Sequence, residues 1–88
     1  MNITAEFRKI FDGEQAMSEN EQDVLLDTFL FMRDDREMGL AAEVIDVWNN
    51  KILGVIEFMS ACGKISAEQE EDLCMMLNRI QSGEAETV

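Results

Sequence analysis

Seven apolar residues, Ala41, Ile45, Trp48, Ile52, Val55, Met59 and Cys62, follow one another at steps of 4, 3, 4, 3, 4 and 3. A strand would need apolar residues at every second position, so this spacing commits the segment to one face of a long helix. The seam does not slip at Asn49-Asn50, a pair that could otherwise pass for a turn, so the helix is expected to run through it. Gly63 is a good C-cap residue and marks its end. At about 25 residues this helix would span ~37 Å.

The remaining apolar positions and capping signals predict three more helices. Ile3, Phe7, Ile10 and Phe11 recur at helical spacing, with Thr4 as a candidate N-cap and Gly13 as terminator, giving a short first helix. Ser18-Glu19-Asn20-Glu21 is a capping box, in which hydroxyl and carboxylate each satisfy an otherwise unpaired amide. A second helix should run from about residue 19 to 33, burying Leu25, Leu26, Phe29, Leu30 and Met32. Asp34-Asp35-Arg36-Glu37 has the same cap-like spacing and places the start of the long third helix almost at once, with Gly39 blurring that start. Ser66-Ala67-Glu68-Gln69 opens a fourth helix whose face is Leu73, Met76, Leu77 and Ile80 and which ends near Gly83.

The fold class expected is therefore all-α: a small bundle of four helices, one short, with the long third helix as its spine. Residues 1–83 form a single domain, and 84–88 are expected to be a disordered tail. Short connections make neighbours antiparallel, so the second helix should cover the N-terminal half of the spine and the fourth its C-terminal half. Val44, Val47 and Phe58 lie off the main seam, and a homodimer built on the third helix would cover them. A chain of this length buries only about 60 to 65% of its unfolded surface, which makes a partner surface useful.

Charge narrows the function classes. The chain has 19 Asp and Glu against 7 Lys and Arg, no His, and a net charge of -12 on 88 residues. Its hydrophobic content of 47% is too high for a disordered acidic chain. Such a surface repels nucleic acid and anionic lipid, because binding either requires cations that neutralise phosphates. The expected partner is a protein with a basic surface. No run approaches the roughly 18 apolar residues of a membrane span, and the first residues lack a basic stretch followed by an apolar one, so a cytoplasmic protein is expected.

Catalytic and metal chemistry find little to work with. Without His or Tyr, the ordinary bases that would activate Ser60, Ser66 or a thiol are missing, and no Gly-rich phosphate loop occurs. Asp12-Gly13-Glu14 lacks the alternating oxygen ligands of a calcium loop. Cys62 and Cys74 offer two lone thiols where structural zinc wants four ligands. An antiparallel pairing puts these thiols roughly 10 Å out of register, beyond the ~7 Å limit for a disulfide, so both are read as reduced, buried, small apolar residues. The chain is read as a non-enzyme with no cofactor and no metal. Most of the seven Met residues are expected to fill the core.

What remains is recognition. Glu19, Asp23 and Asp27 follow at i, i+4, i+8, Glu43 and Asp46 at i, i+3, and Glu57 lies further along the third helix. Like charges at this spacing cost a few tenths of a kcal/mol per pair, and a phosphate-like array facing a basic groove would offset that cost. These six carboxylates, with Trp48 or Phe58 as an apolar anchor, form the expected contact set. The function expected is a small acidic inhibitor or regulator that binds a protein, occupying a basic nucleic-acid-binding surface; a phage-type host-defence antagonist or nucleic-acid mimic is one example. The alternative is a non-catalytic homodimeric adaptor or assembly factor, whose charge only keeps it soluble.

Overall fold

The computed structural model describes residues 2–83. Four helices follow in order, α1 (Ile3–Ile10), α2 (Glu19–Glu37), α3 (Ala42–Ala61) and α4 (Ala67–Gln81). There is no strand among the described residues. The all-α bundle expected from periodicity is the fold observed, and α3 is the longest helix, with α2 and α4 both packed on it. The expected tail at 84–88 lies outside the described residues.

The helix starts follow their capping chemistry. Ser18 and Ser66 each accept from the amide three residues on, while Glu21 and Gln69 reach back to the cap amides at 2.8 Å. Replacing either serine by Ala should cost about 1 kcal/mol, readable as a lower urea midpoint. The Glu21 carboxyl is held below its ordinary range, first by the Ser18 amide and then by Lys64. Its help to the fold is therefore present above the ordinary unfolded value and lost as pH falls through the lowered one. The first helix departs from expectation, since Asn2 and not Thr4 caps α1, accepting from Ala5 at 3.0 Å.

The boundary between α2 and α3 falls later than the spacing suggested. Asp34-Asp35-Arg36-Glu37 does not cap a new helix; it forms the last turn of α2. Nothing in these residues breaks a helix, and the chain turns only where Gly39 adopts φ +77°. There the Gly39 amide donates to the Arg36 carbonyl and the Leu40 amide to the Asp35 carbonyl, a Schellman ending. Gly63, φ +73°, ends α3 the same way. As a result α3 begins at Ala42 with no side-chain cap and has 20 residues, against 19 in α2.

Near-equal lengths change the packing from the staggered arrangement expected. Glu21 pairs with Lys64 and Asp35 with Trp48, so α2 lies antiparallel along most of α3. Ser60 donates to Glu70 and Gln81 to Asp46, so α4 does the same on the other flank. Arg36 donates to the Gln81 carbonyl, tying the C-terminal ends of α2 and α4 together. The short α1 packs on α2 and α4, and its backbone does not come close to that of α3.

The core is one cluster built from all four helices. Phe7 meets Phe11 at 4.9 Å and the edge of Phe29 at 6.2 Å between ring centroids. Leu73, Met76, Leu77 and Ile80 of α4 are all buried, as are Leu25, Leu26, Phe29 and Met32 of α2, while Leu30 is partly buried. On α3 the buried residues are Ile45, Ile52 and Ile56. Met17, Met32 and Met76 fill the core, but Met38 and Met75 are exposed. Gly54 faces open space, with nothing within 4 Å of where a methyl group would sit, so it makes no close helix crossing. Gly54→Ala should therefore raise stability by about 1 kcal/mol through helix propensity alone, read as a higher thermal midpoint.

Candidate protein-binding face

All six carboxylates of the expected contact set, Glu19, Asp23, Asp27, Glu43, Asp46 and Glu57, are exposed. Exposure alone does not make them one array. Asp23 points to the α1 flank of α2, where Arg8 meets it at 2.9 Å. Asp46 lies on the α4 flank of α3 and accepts from Gln81. Among the described residues four ion pairs form, joining Arg8 to Asp23, Lys9 to Glu6, Arg33 to Asp34 and Lys64 to Glu21. Glu19, Asp27, Glu43, Asp46 and Glu57 take part in none of them.

Between these carboxylates runs a strip of apolar side chains that folding leaves uncovered. On α2, Val24, Phe31 and Met38 are exposed and repeat at i, i+7, i+14. On α3, Val44, Val47 and Phe58 are exposed, as the off-seam positions implied. Every seventh residue of a helix returns to within about 20° of the same face, so the α2 set forms a stripe, and Val47 and Phe58, eleven residues apart and so close to three full turns, share a side of α3. Trp48 joins the two sets where α2 and α3 meet. Its indole is half-buried, its Nε1 donates to Asp35 Oδ2 at 2.6 Å, and its ring lies 6.2 Å from that of Phe31. Lys51 Nζ stands 5.4 Å above the same ring, close enough for a cation–π contact.

Trp48 is thus neither a pure core anchor nor a free surface residue. Its inner edge packs on the core and its outer edge is framed by Phe31 and Lys51. Phe58, 65% exposed, is the freer of the two expected anchors. Phe31 belongs to the same strip at 54% exposed, and sequence reasoning missed it. The seven-residue repeat of Val24, Phe31 and Met38 was the available signal, hidden inside the run Phe29-Leu30-Phe31-Met32.

The thiols are both free, but they are not both buried, which corrects the expectation for Cys62. Cys62 is the C-cap residue of α3 and is exposed. Cys74 is partly buried, and burial, with the Glu70 and Glu57 carboxylates adding, pushes its thiol above the ordinary range. Thiolate is the reacting species, so iodoacetamide at pH 8 should label Cys62 well before Cys74, as read by peptide mass spectrometry. Equal rates would contradict the burial of Cys74.

Other chemistry is sparse. Among the described residues no group of three or more His, Cys, Asp or Glu side chains is gathered to hold a metal ion. A shallow cleft between α1 and α4 is lined by Glu6 and Asp72 together with Lys9 and Arg79, so its charges offset one another. No helix among the described residues is long and apolar enough to cross a membrane. No family model matches the chain, and searches of curated proteins and of solved structures likewise give no match.

Proposed function

We propose that this chain is a small acidic regulator that acts by binding a protein with a cationic surface, of the kind that otherwise engages nucleic acid. The observation that carries the reading is an uncovered apolar strip on α2 and α3 together with exposed carboxylates that take part in no ion pair, Asp27 on α2 and Glu43 on α3 beside the strip and Glu57 on the α4 flank of α3. Carboxylates steer a basic partner from a distance and set its orientation, and exposed aromatic residues supply contact energy once water is expelled. Without that role the like charges cost stability, and a contiguous apolar strip of this kind marks an interaction site in soluble proteins.

The experiment is affinity capture from cell lysate with a salt gradient, run in parallel on the charge-reversal variant Asp27→Lys/Glu43→Lys/Asp46→Lys/Glu57→Lys. Exposed carboxylate contacts are screened beyond a Debye length of about 8 Å at physiological ionic strength, so specifically bound proteins should elute early in the gradient. The variant should keep its helical circular dichroism and lose them. Retention of the same proteins by the variant overturns the reading.

A second reading is supported by the exposed Val44, Val47 and Phe58 on α3. Two copies meeting along α3 would cover those side chains and give a homodimeric adaptor. Light scattering at tens of micromolar decides it, since a monomer mass removes this reading.

A further inference from the structure

The outer face shared by α2 and α3 carries an uncovered apolar strip with unpaired carboxylates beside it, and we infer that this face receives a cationic amphipathic helix laid along its length. This rests on the proposed function and specifies what the partner brings to that face.

Three observations select the occupant. First, α2 and α3, of 19 and 20 residues, lie antiparallel along most of their length, so the face they share is at most roughly 28 Å long, the length of about 18 helical residues. The described chain offers no strand edge, so a partner cannot add on as a strand and is recognised by side chains alone. Second, the face is apolar, with Val24 and Phe31 exposed on α2, Val47 and Phe58 exposed on α3, and the half-buried Trp48 meeting Phe31 where the two helices join. Helix-in-groove recognition needs such anchors spread over several turns, to meet residues at i, i+3, i+4 and i+7 of the ligand.

Third, each of the two helices sets an unpaired carboxylate beside the strip. Asp27 lies three residues beyond Val24 on α2 and Glu43 one turn before Val47 on α3, both outside any ion pair; Asp34, three residues beyond Phe31, is met by Arg33, Glu57 stands on the α4 flank, and Lys51 is a cation on the strip. A second copy of this chain would bring the same carboxylates face to face, with a charge of -12 on each partner. Like-charge juxtaposition of that kind is the arrangement that excludes a partner. A helix with an apolar stripe and Lys or Arg along both edges meets apolar strip with apolar side chain and carboxylate with cation.

Trp48 is the chain's one tryptophan and stands on this face, so it reports directly on what docks there. The probe is a synthetic peptide of about 18 residues made of Leu and Lys, with Leu at helical spacing. Its control is a peptide of the same composition with the order scrambled to remove the apolar face. The patterned peptide should shift Trp48 emission, gain helical circular dichroism on binding, and bind at least tenfold more tightly than the scrambled one.

The deciding variant is Val24→Glu/Phe58→Glu, which alters two exposed side chains, leaves Trp48 in place and adds two negative charges. Docking of an apolar helix face predicts at least tenfold weaker binding of the patterned peptide. Attraction by charge alone predicts stronger binding, and that result overturns the inference. Equal affinity for both peptides also overturns it while leaving the broader reading of a basic partner intact. If neither peptide binds at low salt, the inference and the proposed function fall together. A dimer mass for the chain by light scattering, dissociated by Val24→Glu/Phe58→Glu, would assign the face to a second copy instead and overturn the inference.

Discussion

Phe29→Ala should come close to unfolding this protein, while Phe31→Ala, two residues away on the same helix, should leave it almost as stable as before. Phe29 is fully buried, its ring edge meets Phe7 at 6.2 Å, and through Phe7 it holds α1 against α2. Removing a buried Phe loses the transfer free energy of the ring and leaves a cavity, about 3 to 5 kcal/mol together. A domain of this size has roughly 4 to 13 kcal/mol in total, so the loss is a large part of it. Phe31 is 54% exposed and its main neighbour is the Trp48 ring, a contact of the order of 1 kcal/mol or less. Urea denaturation of both variants gives the comparison directly. Equal midpoint shifts would mean that α2 is rotated from the position described.

The contrast between these two phenylalanines shows where the sequence was legible. Helix α4 could be read in full, because its capping box and its apolar period point to the same start and the same face. Leu73, Met76, Leu77 and Ile80 are all buried as a result. Helix α2 could be read at its start for the same reason, and not at its end. Asp34 has the spacing of a cap, but a cap starts a helix only where the preceding one has stopped, and no residue before Gly39 stops α2. The local pattern therefore competed with a helix already under way and lost. The burial of Gln22 had no local signal, because its partner, the Met17 carbonyl at 3.0 Å, is positioned by the turn of the connector.

The candidate face was legible in its parts and not in its assembly. Placing Asp and Glu at positions off the apolar seam was enough to predict exposed carboxylates. Which carboxylates share a side of the molecule depends on how each helix is rotated against its neighbours, a long-range property. Asp23 looked equivalent to Asp27, one turn on, yet α1 packs along that flank and brings Arg8 to it. Leaving Asp27 unpaired and Asp23 neutralised is a consequence of where the short helix docks. The same docking explains the uncovered strip, since α1 fills the α2/α4 side and, among the described residues, no further helix packs over α2 and α3.

Ile56→Ala should cost about 2 to 5 kcal/mol and Val55→Ala about 1 kcal/mol or less, although Val55 is the one that lies on the regular seam. The reason is geometric. A seam stepping by 4 and 3 repeats every 3.5 residues, whereas a straight helix repeats every 3.6, so the seam drifts by about 20° per heptad. From Ala41 to Cys62 that amounts to roughly 60°, and both ends of the seam are in fact exposed. Two helices in a supercoil would bend to keep the seam buried. Here α3 is packed between α2 and α4 and must present a wider apolar arc, centred on Ile45, Ile52 and Ile56. Ile56 is fully buried at the middle of that arc, while Val55 sits at its edge towards the exposed strip. Thermal or urea unfolding of the two variants separates the alternatives. A larger loss for Val55→Ala would mean that α3 follows the 3.5-residue seam after all, which would turn Val47 and Phe58 to a different side and take the α3 part of the apolar strip with them.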